Sequence, residues 1–217
     1  VRILNKNSAG SGFLIGKSKL NNSAVEKGLI MTNNHVVGDA KTVEVNFHND
    51  DSTFGTVIGR SELIDIALIS INRIPDGVKP IAFCYGNNPE VGEEVVVIGN
   101  PLNIGFNVTT GIVSSVQGSG LKKEILTDAG INPGNSGGPI LNYKSEVLGV
   151  VTAKIGAIGI DNIGMAIPMT QAIESLRMEV LPSLSKNNLT NCGNNLIASE
   201  KNKTSQPNRL LQFFNKN

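Results

Sequence analysis

Residues 128–140 read Asp128-Ala129-Gly130-Ile131-Asn132-Pro133-Gly134-Asn135-Ser136-Gly137-Gly138-Pro139-Ile140, and Ser136 lies among three glycines. Glycine reaches positive φ and carries no Cβ, so the 134–138 core lets the backbone fold tightly around the serine and leaves its hydroxyl open to a large reacting group. Ser136 is therefore read as a nucleophile, with the N–H groups of Gly134, Asn135 and Ser136 expected to converge as an oxyanion hole.

The same five residues match Gly-x-Ser-x-Gly, the nucleophile elbow of α/β-hydrolases, so the run alone leaves two folds open. Chain order separates them. Both histidines, His35 and His48, precede Ser136, whereas the elbow enzymes carry their histidine after the serine. A subtilisin order needs an aspartate ahead of the histidine, and the first aspartate is Asp39. What remains is His, then Asp, then Ser, the order of a chymotrypsin-like double barrel.

His35 lies in Leu29–Val37, where an apolar strand gives way to two asparagines and a short helical turn. The end of a strand suits a general base. His48 sits in a polar turn, Asn46–Asp50, and is expected to be an exposed loop residue. Seven aspartates follow His35, and Asp65 alone is embedded in an apolar run, Leu63–Ile71. A carboxylate there needs a partner to offset its desolvation, and a histidine N–H supplies one. Asp128, eight residues before Ser136, is expected to order the loop that shapes the oxyanion hole. His35 would take the Ser136 proton and return it to the leaving amine, with Asp65 fixing the imidazole tautomer.

These residues resemble a trypsin-like serine protease of the HtrA/Deg type over most of residues 8–181. The marks are Ser11–Gly16, Thr32–Val37, Asp65–Leu68, Ile98–Pro101, Val108–Val113, Thr127–Leu141 and Ile163–Pro168. The resemblance implies an all-β, chymotrypsin-like double β-barrel split near residues 100–110, with the triad in the cleft and a C-terminal helix. It implies a protease domain over 1–181, followed by an Asn/Lys/Ser-rich tail or linker at 182–217. The implied activity is ATP-independent cleavage of unfolded or damaged polypeptides, a protein quality control role, with no cofactor. The alternative is a protease-fold module that binds peptides, catalytically silent or regulated through the 129–135 loop. A periplasmic, secreted or organelle-lumen location is implied too. Only 35 residues follow Pro182, too few for the PDZ domain many relatives carry. The aromatic residues with which relatives build a trimer are missing before Gly10, so a trimer rests on the resemblance alone.

The pattern of the chain points the same way. Val43–Phe47, Val95–Ile98 and Val147–Val151 are β-branched runs spaced by Gly, Asn and Pro turns, as an all-β barrel requires. Thr170–Leu181 alone reads as a helix, with Ile173, Leu176 and Val180 at near-helical spacing ahead of Pro182.

By resemblance, the primary specificity pocket has Gly130 as its floor with Ile131 beside it, the strand Val151, Thr152, Ala153 and Lys154 as one wall, and Met165 or Ile167 on the other. No acid stands there to pair a buried cation, so small or medium aliphatic residues are expected before the scissile bond rather than lysine or arginine. Lys154 raises an acidic preference as the competing idea.

At 217 residues and 40% apolar the chain suits one protease unit. A net charge of +1 without a basic cluster argues against nucleic acid. No run reaches the 18 residues of a transmembrane helix and no signal peptide is evident. Cys84 and Cys192 match no metal spacing, so no metal site is expected. The pair reads either as free thiols or as one bridge.

Overall fold

The computed structural model describes residues 1–6, 8–19, 26–86, 89–100, 105–157, 160–180, 196–199 and 211–213, with backbone alone at 18–19, 26, 153–157, 160–162 and from 179 onward. The first seven strands are β1 (Arg2–Leu4), β2 (Ala9–Ser11), β3 (Phe13–Lys19), β4 (Glu26–Thr32), β5 (Thr42–Asn46), β6 (Ser52–Ser61) and β7 (Ile66–Ile71). They form one sheet in the order β3-β4-β7-β6-β5-β1-β2, antiparallel throughout. Strands β8 (Glu94–Gly99), β9 (Asn107–Gln117), β10 (Glu124–Thr127), β11 (Pro139–Asn142), β12 (Val147–Ala157) and β13 (Ile160–Pro168) close into a six-stranded barrel. This is the expected two-barrel architecture, the first sheet an open half-barrel and the second closed.

Two strands show why the halves stay together. In β8, Val95 and Val97 point into the second barrel, while Val96 and Ile98 on the opposite face pack against a cluster shared by both halves. In β7, Ala67, Ile69 and Ile71 fill the first core, and Ile66 and Leu68 enter that same shared cluster. A strand buried on both faces reads as a continuous apolar run instead of alternating, which is the pattern of both segments. The shared cluster joins Phe13, Leu29 and Met31 of the first sheet to Leu141, Val147, Val150 and Ile167 of the second barrel. Phe83, on the connection between the halves, is fully buried within it.

The helix over Thr170–Leu181 is shorter than its apolar spacing implies: α2 spans Met169–Ser175. Arg177 takes φ 53°, a left-handed turn that ends the helix. Met178 then buries in the shared cluster and starts a strand, β14 (Met178–Val180). Ile173 is buried as the spacing implies and Leu176 is half-buried, while the side chain of Val180 lies outside the described residues.

Two short tail segments belong to the first sheet. β15 (Leu196–Ser199) runs parallel to β3, and β16 (Leu211–Phe213) lies between β15 and β14. Cys84 is disulfide-bonded and no cysteine is free among the described residues, which excludes the free-thiol reading for Cys84. The chain's other cysteine, Cys192, lies outside the described residues. Among the described residues no helix is long and apolar enough to cross a membrane.

Candidate functional site

His35 stands on α1, a single turn over Asn34–Val37 that follows β4. Val36 and Val37 are buried in the first core and anchor that turn, which leaves His35 facing the cleft with its side chain 50% exposed. The exposed N-terminus of a helix needs acceptors for its free N–H groups. Asn33, the N-cap, makes no side-chain cap. Asp65 supplies the acceptors instead. Its carbonyl accepts from Asn34 N–H at 3.2 Å and from Asn33 Nδ2 at 2.9 Å, and its Oδ1 accepts from His35 N–H at 2.8 Å. Arg60 on β6 pins the other end of the turn by donating to the carbonyls of Gly38 and Ala40.

The second carboxylate oxygen of Asp65 meets His35 Nδ1 at 2.7 Å and accepts from Thr152 Oγ1 at 2.8 Å. Asp65 sits at φ 58° just ahead of β7, a strained setting that aims both oxygens at His35. Burial pushes its pKa up, but the side-chain and backbone hydrogen bonds of His35, the hydroxyl of Thr152 and the attraction of His35 outweigh that, and the net displacement is downward. An ionised carboxylate only accepts, so Nδ1 carries the proton and Nε2 keeps a lone pair for a proton from elsewhere.

Ser136 is built by backbone. Asn132 to Asn135 is a turn closed by Asn135 N–H to Asn132 O at 3.0 Å, with Pro133 and Gly134 at its centre and Gly134 at φ 101°. Pro followed by a positive-φ glycine is the type II pattern. A second such turn, Asn135 to Gly138, closes at 2.9 Å with Ser136 and Gly137 (φ 83°) at its centre. A Cβ at Gly137 would fall on Ser11 O and Thr32 Oγ1, so only glycine fits. Ser136 Oγ donates to Thr152 O at 3.2 Å. Thr152 therefore joins Asp65 to Ser136.

One expectation is corrected by this loop. Asn135 N–H is spent inside the first turn, so it is not available to an oxyanion. The N–H groups of Gly134 and Ser136 have no acceptor among the described residues and are the two donors left open.

The remaining expected residues fall as follows. Gly130 is exposed, and its carbonyl accepts from Thr109 Oγ1 at 2.8 Å. Ile131 is 5% exposed, with Cδ1 against Gly164 of β13. Met165, half-buried, pairs in register with Ala153 on β12. The backbones of Ala153 and Lys154 continue β12, but their side chains lie outside the described residues. Thr109, Asn135 and Gly164, which approach Gly130 or Ile131, carry no charge. Asp128 Oδ1 accepts from Ile112 N–H of β9 at 2.7 Å, which ties the start of the loop to the barrel wall. His48 is exposed in the turn between β5 and β6. Among the described residues no three His, Cys, Asp or Glu side chains gather as metal ligands.

Sequence reasoning takes Thr152 only as a pocket wall and misses its bonds to Asp65 and Ser136. It also misses Arg60, and it takes Ser11 only as the start of a recurring motif.

Residues 10–150 match the family model for the trypsin-like peptidase domain. The chain belongs to that family. Over 156 residues it is 36% identical to the serine protease HtrA-like of Staphylococcus aureus, a match covering 65% of this chain and 20% of the relative. Among solved structures it is similar to the serine endoprotease from Yersinia pestis, at 32% identity and a TM-score of 0.66, covering 80% of this chain and 59% of that one. It is similar as well to the HtrA-type protease AlgW with tripeptide, at 30% identity and a TM-score of 0.64, covering 77% and 54%. The chain thus spans about a fifth of the length of its curated HtrA-like relatives and just over half of these structures. Its membership of the trypsin-like peptidase family accounts for the two barrels and for a cleft that holds His35, Asp65 and Ser136.

Proposed function

We propose that this chain is a serine endopeptidase whose nucleophile is Ser136, whose general base is His35 and whose orienting carboxylate is Asp65. The observation that carries the reading is Thr152, which holds Asp65 Oδ2 with its hydroxyl and Ser136 Oγ with its carbonyl, while His35 Nδ1 meets the same Asp65 Oδ2. On binding a peptide, Ser136 Oγ turns from Thr152 O to His35 Nε2 and gives up its proton as it attacks the scissile carbonyl. The N–H groups of Gly134 and Ser136 receive the oxyanion. His35 then protonates the leaving amine, which departs and leaves an acyl group on Ser136. Water, activated by His35, hydrolyses that ester. Asp65 stays ionised throughout and stabilises the imidazolium.

The open Gly130 and the uncharged neighbours of Ile131 support an aliphatic residue before the scissile bond, in unfolded or damaged polypeptides. The test is reaction with a fluorophosphonate probe together with cleavage-site mapping on a proteome-derived peptide library. Labelling confined to Ser136, absent in Ser136→Ala, with valine, alanine, isoleucine or leucine at the cleaved position, is the expected result. Undiminished cleavage by Ser136→Ala sinks the mechanism. Dominant cleavage after aspartate or glutamate sinks the aliphatic pocket and transfers specificity to Lys154.

A further inference from the structure

Ser11 closes β2 in the first sheet and is 1% exposed, yet most of its polar contacts reach the second barrel. Its N–H donates to Ser136 O at 2.8 Å, and its hydroxyl donates to Gly134 O at 2.7 Å. The same hydroxyl oxygen accepts the N–H of Asn100, at the end of β8, at 2.8 Å. Only its carbonyl remains within the first sheet, accepting from Thr32 Oγ1 at 2.7 Å.

The pattern is specific to a hydroxyl. Any residue except proline offers the N–H that holds Ser136 O, so that bond does not require serine. The Asn100 N–H, by occupying the hydroxyl oxygen, leaves the hydroxyl proton to Gly134 O. Gly134, as a glycine, has a wide choice of backbone conformation. Its φ of 101° is held on one side by the Asn132–Asn135 turn. The Gly134 carbonyl shares its rigid peptide plane with the Asn135 N–H that closes this turn, so Ser11 holds that plane a second time, from the opposite barrel. The two carbonyls that Ser11 grips belong to Gly134 and Ser136, the residues whose N–H groups are left open.

We propose that the Ser11 hydroxyl is a positioning group that locks Gly134 from the opposite barrel, so that the Gly134 and Ser136 N–H groups aim at one point. It touches neither substrate nor reacting atoms, and it acts on the oxyanion alone. The inference rests on Ser136 being the nucleophile.

The experiment compares the parent chain with Ser11→Ala. It reads kcat and KM on the best library peptide, inhibition by a peptidyl trifluoromethyl ketone (which places an oxyanion at this point), and the Kd of an uncleaved peptide in the Ser136→Ala background. The expected outcome is a fall of about 10- to 100-fold in kcat with a matching loss of ketone affinity, while KM and peptide Kd stay within about twofold. Unchanged kcat and ketone affinity overturn the proposal, and so does a loss shared equally by peptide Kd, which would mark a merely structural role. Should the alanine chain not fold, Ser11→Cys keeps a weaker hydrogen-bonding group there. An intermediate loss of kcat is expected in it, and parent values overturn the proposal. A parent that neither cleaves nor is labelled at Ser136 overturns both readings, whereas an active parent with an unchanged Ser11→Ala overturns this one alone.

Discussion

The two halves of the cleft are made by opposite means. On the first-sheet side, Asp65 is saturated: its carbonyl and both carboxylate oxygens together hold Asn33, Asn34, His35 and Thr152. On the second-barrel side, the loop around Ser136 is shaped by two glycine turns and leaves two N–H groups with no acceptor among the described residues. The first side fixes an imidazole by engaging every oxygen of Asp65. The second, in the proposed mechanism, leaves donors unsatisfied where a charge would form.

Breaking the second side costs most. Ser136→Ala is expected to fold and to lose about a millionfold in kcat, the scale for removing a triad serine. Asp65→Asn, on the saturated side, is expected to lose about 10,000-fold in kcat because the amide favours the wrong imidazole tautomer. Fluorogenic-peptide turnover measures both, and equal losses would erase the asymmetry.

Gly137→Ala tests whether the loop is backbone-built. Its positive φ and the closeness of Ser11 O predict a loss of about 2 to 4 kcal/mol in denaturant unfolding, together with lost labelling of Ser136. Wild-type stability would show the loop to be softer than its turns suggest.

Thr152→Val removes one donor from Asp65 while the backbone carbonyl that holds Ser136 remains. A reduction of about tenfold in kcat/KM is expected, the size of one hydrogen bond to a charged group.

The smallest effect is on pH. Asp65 has a folded pKa below its unfolded 3.8. Its contribution to stability is therefore present above about pH 4 and is lost as pH falls through the folded pKa. Melting temperature followed down through that range should drop less steeply in Asp65→Asn. In Thr152→Val the carboxyl loses a partner, its folded pKa rises toward the ordinary value, and the loss begins at higher pH.

What can be read from sequence divides along physical lines. His35, Asp65 and Ser136 are legible because histidines are scarce, because a carboxylate within Leu63–Ile71 demands a partner, and because chain order excludes the rival folds. Strand runs are legible from β-branched density. Thr152 as a link is not, since its bond to Asp65 spans 87 residues and nothing local announces it. Nor is the Ser11 hydroxyl, whose bond to Gly134 spans 123. Composition overcounts the oxyanion hole by one donor, because glycine content suggests convergence whereas closing the turn consumes Asn135 N–H. The helix over Thr170–Leu181 is overextended because its apolar spacing serves equally a helix and a strand that begins after a left-handed Arg177.

The shared cluster of Phe13, Met31, Leu68, Phe83, Val150 and Ile167 has a thermodynamic consequence. Neither half can open without exposing side chains that also complete the other, so the two should melt in a single cooperative transition. His35 and Asp65 of one half and Ser136 of the other thereby inherit the global unfolding free energy as the cost of their separation.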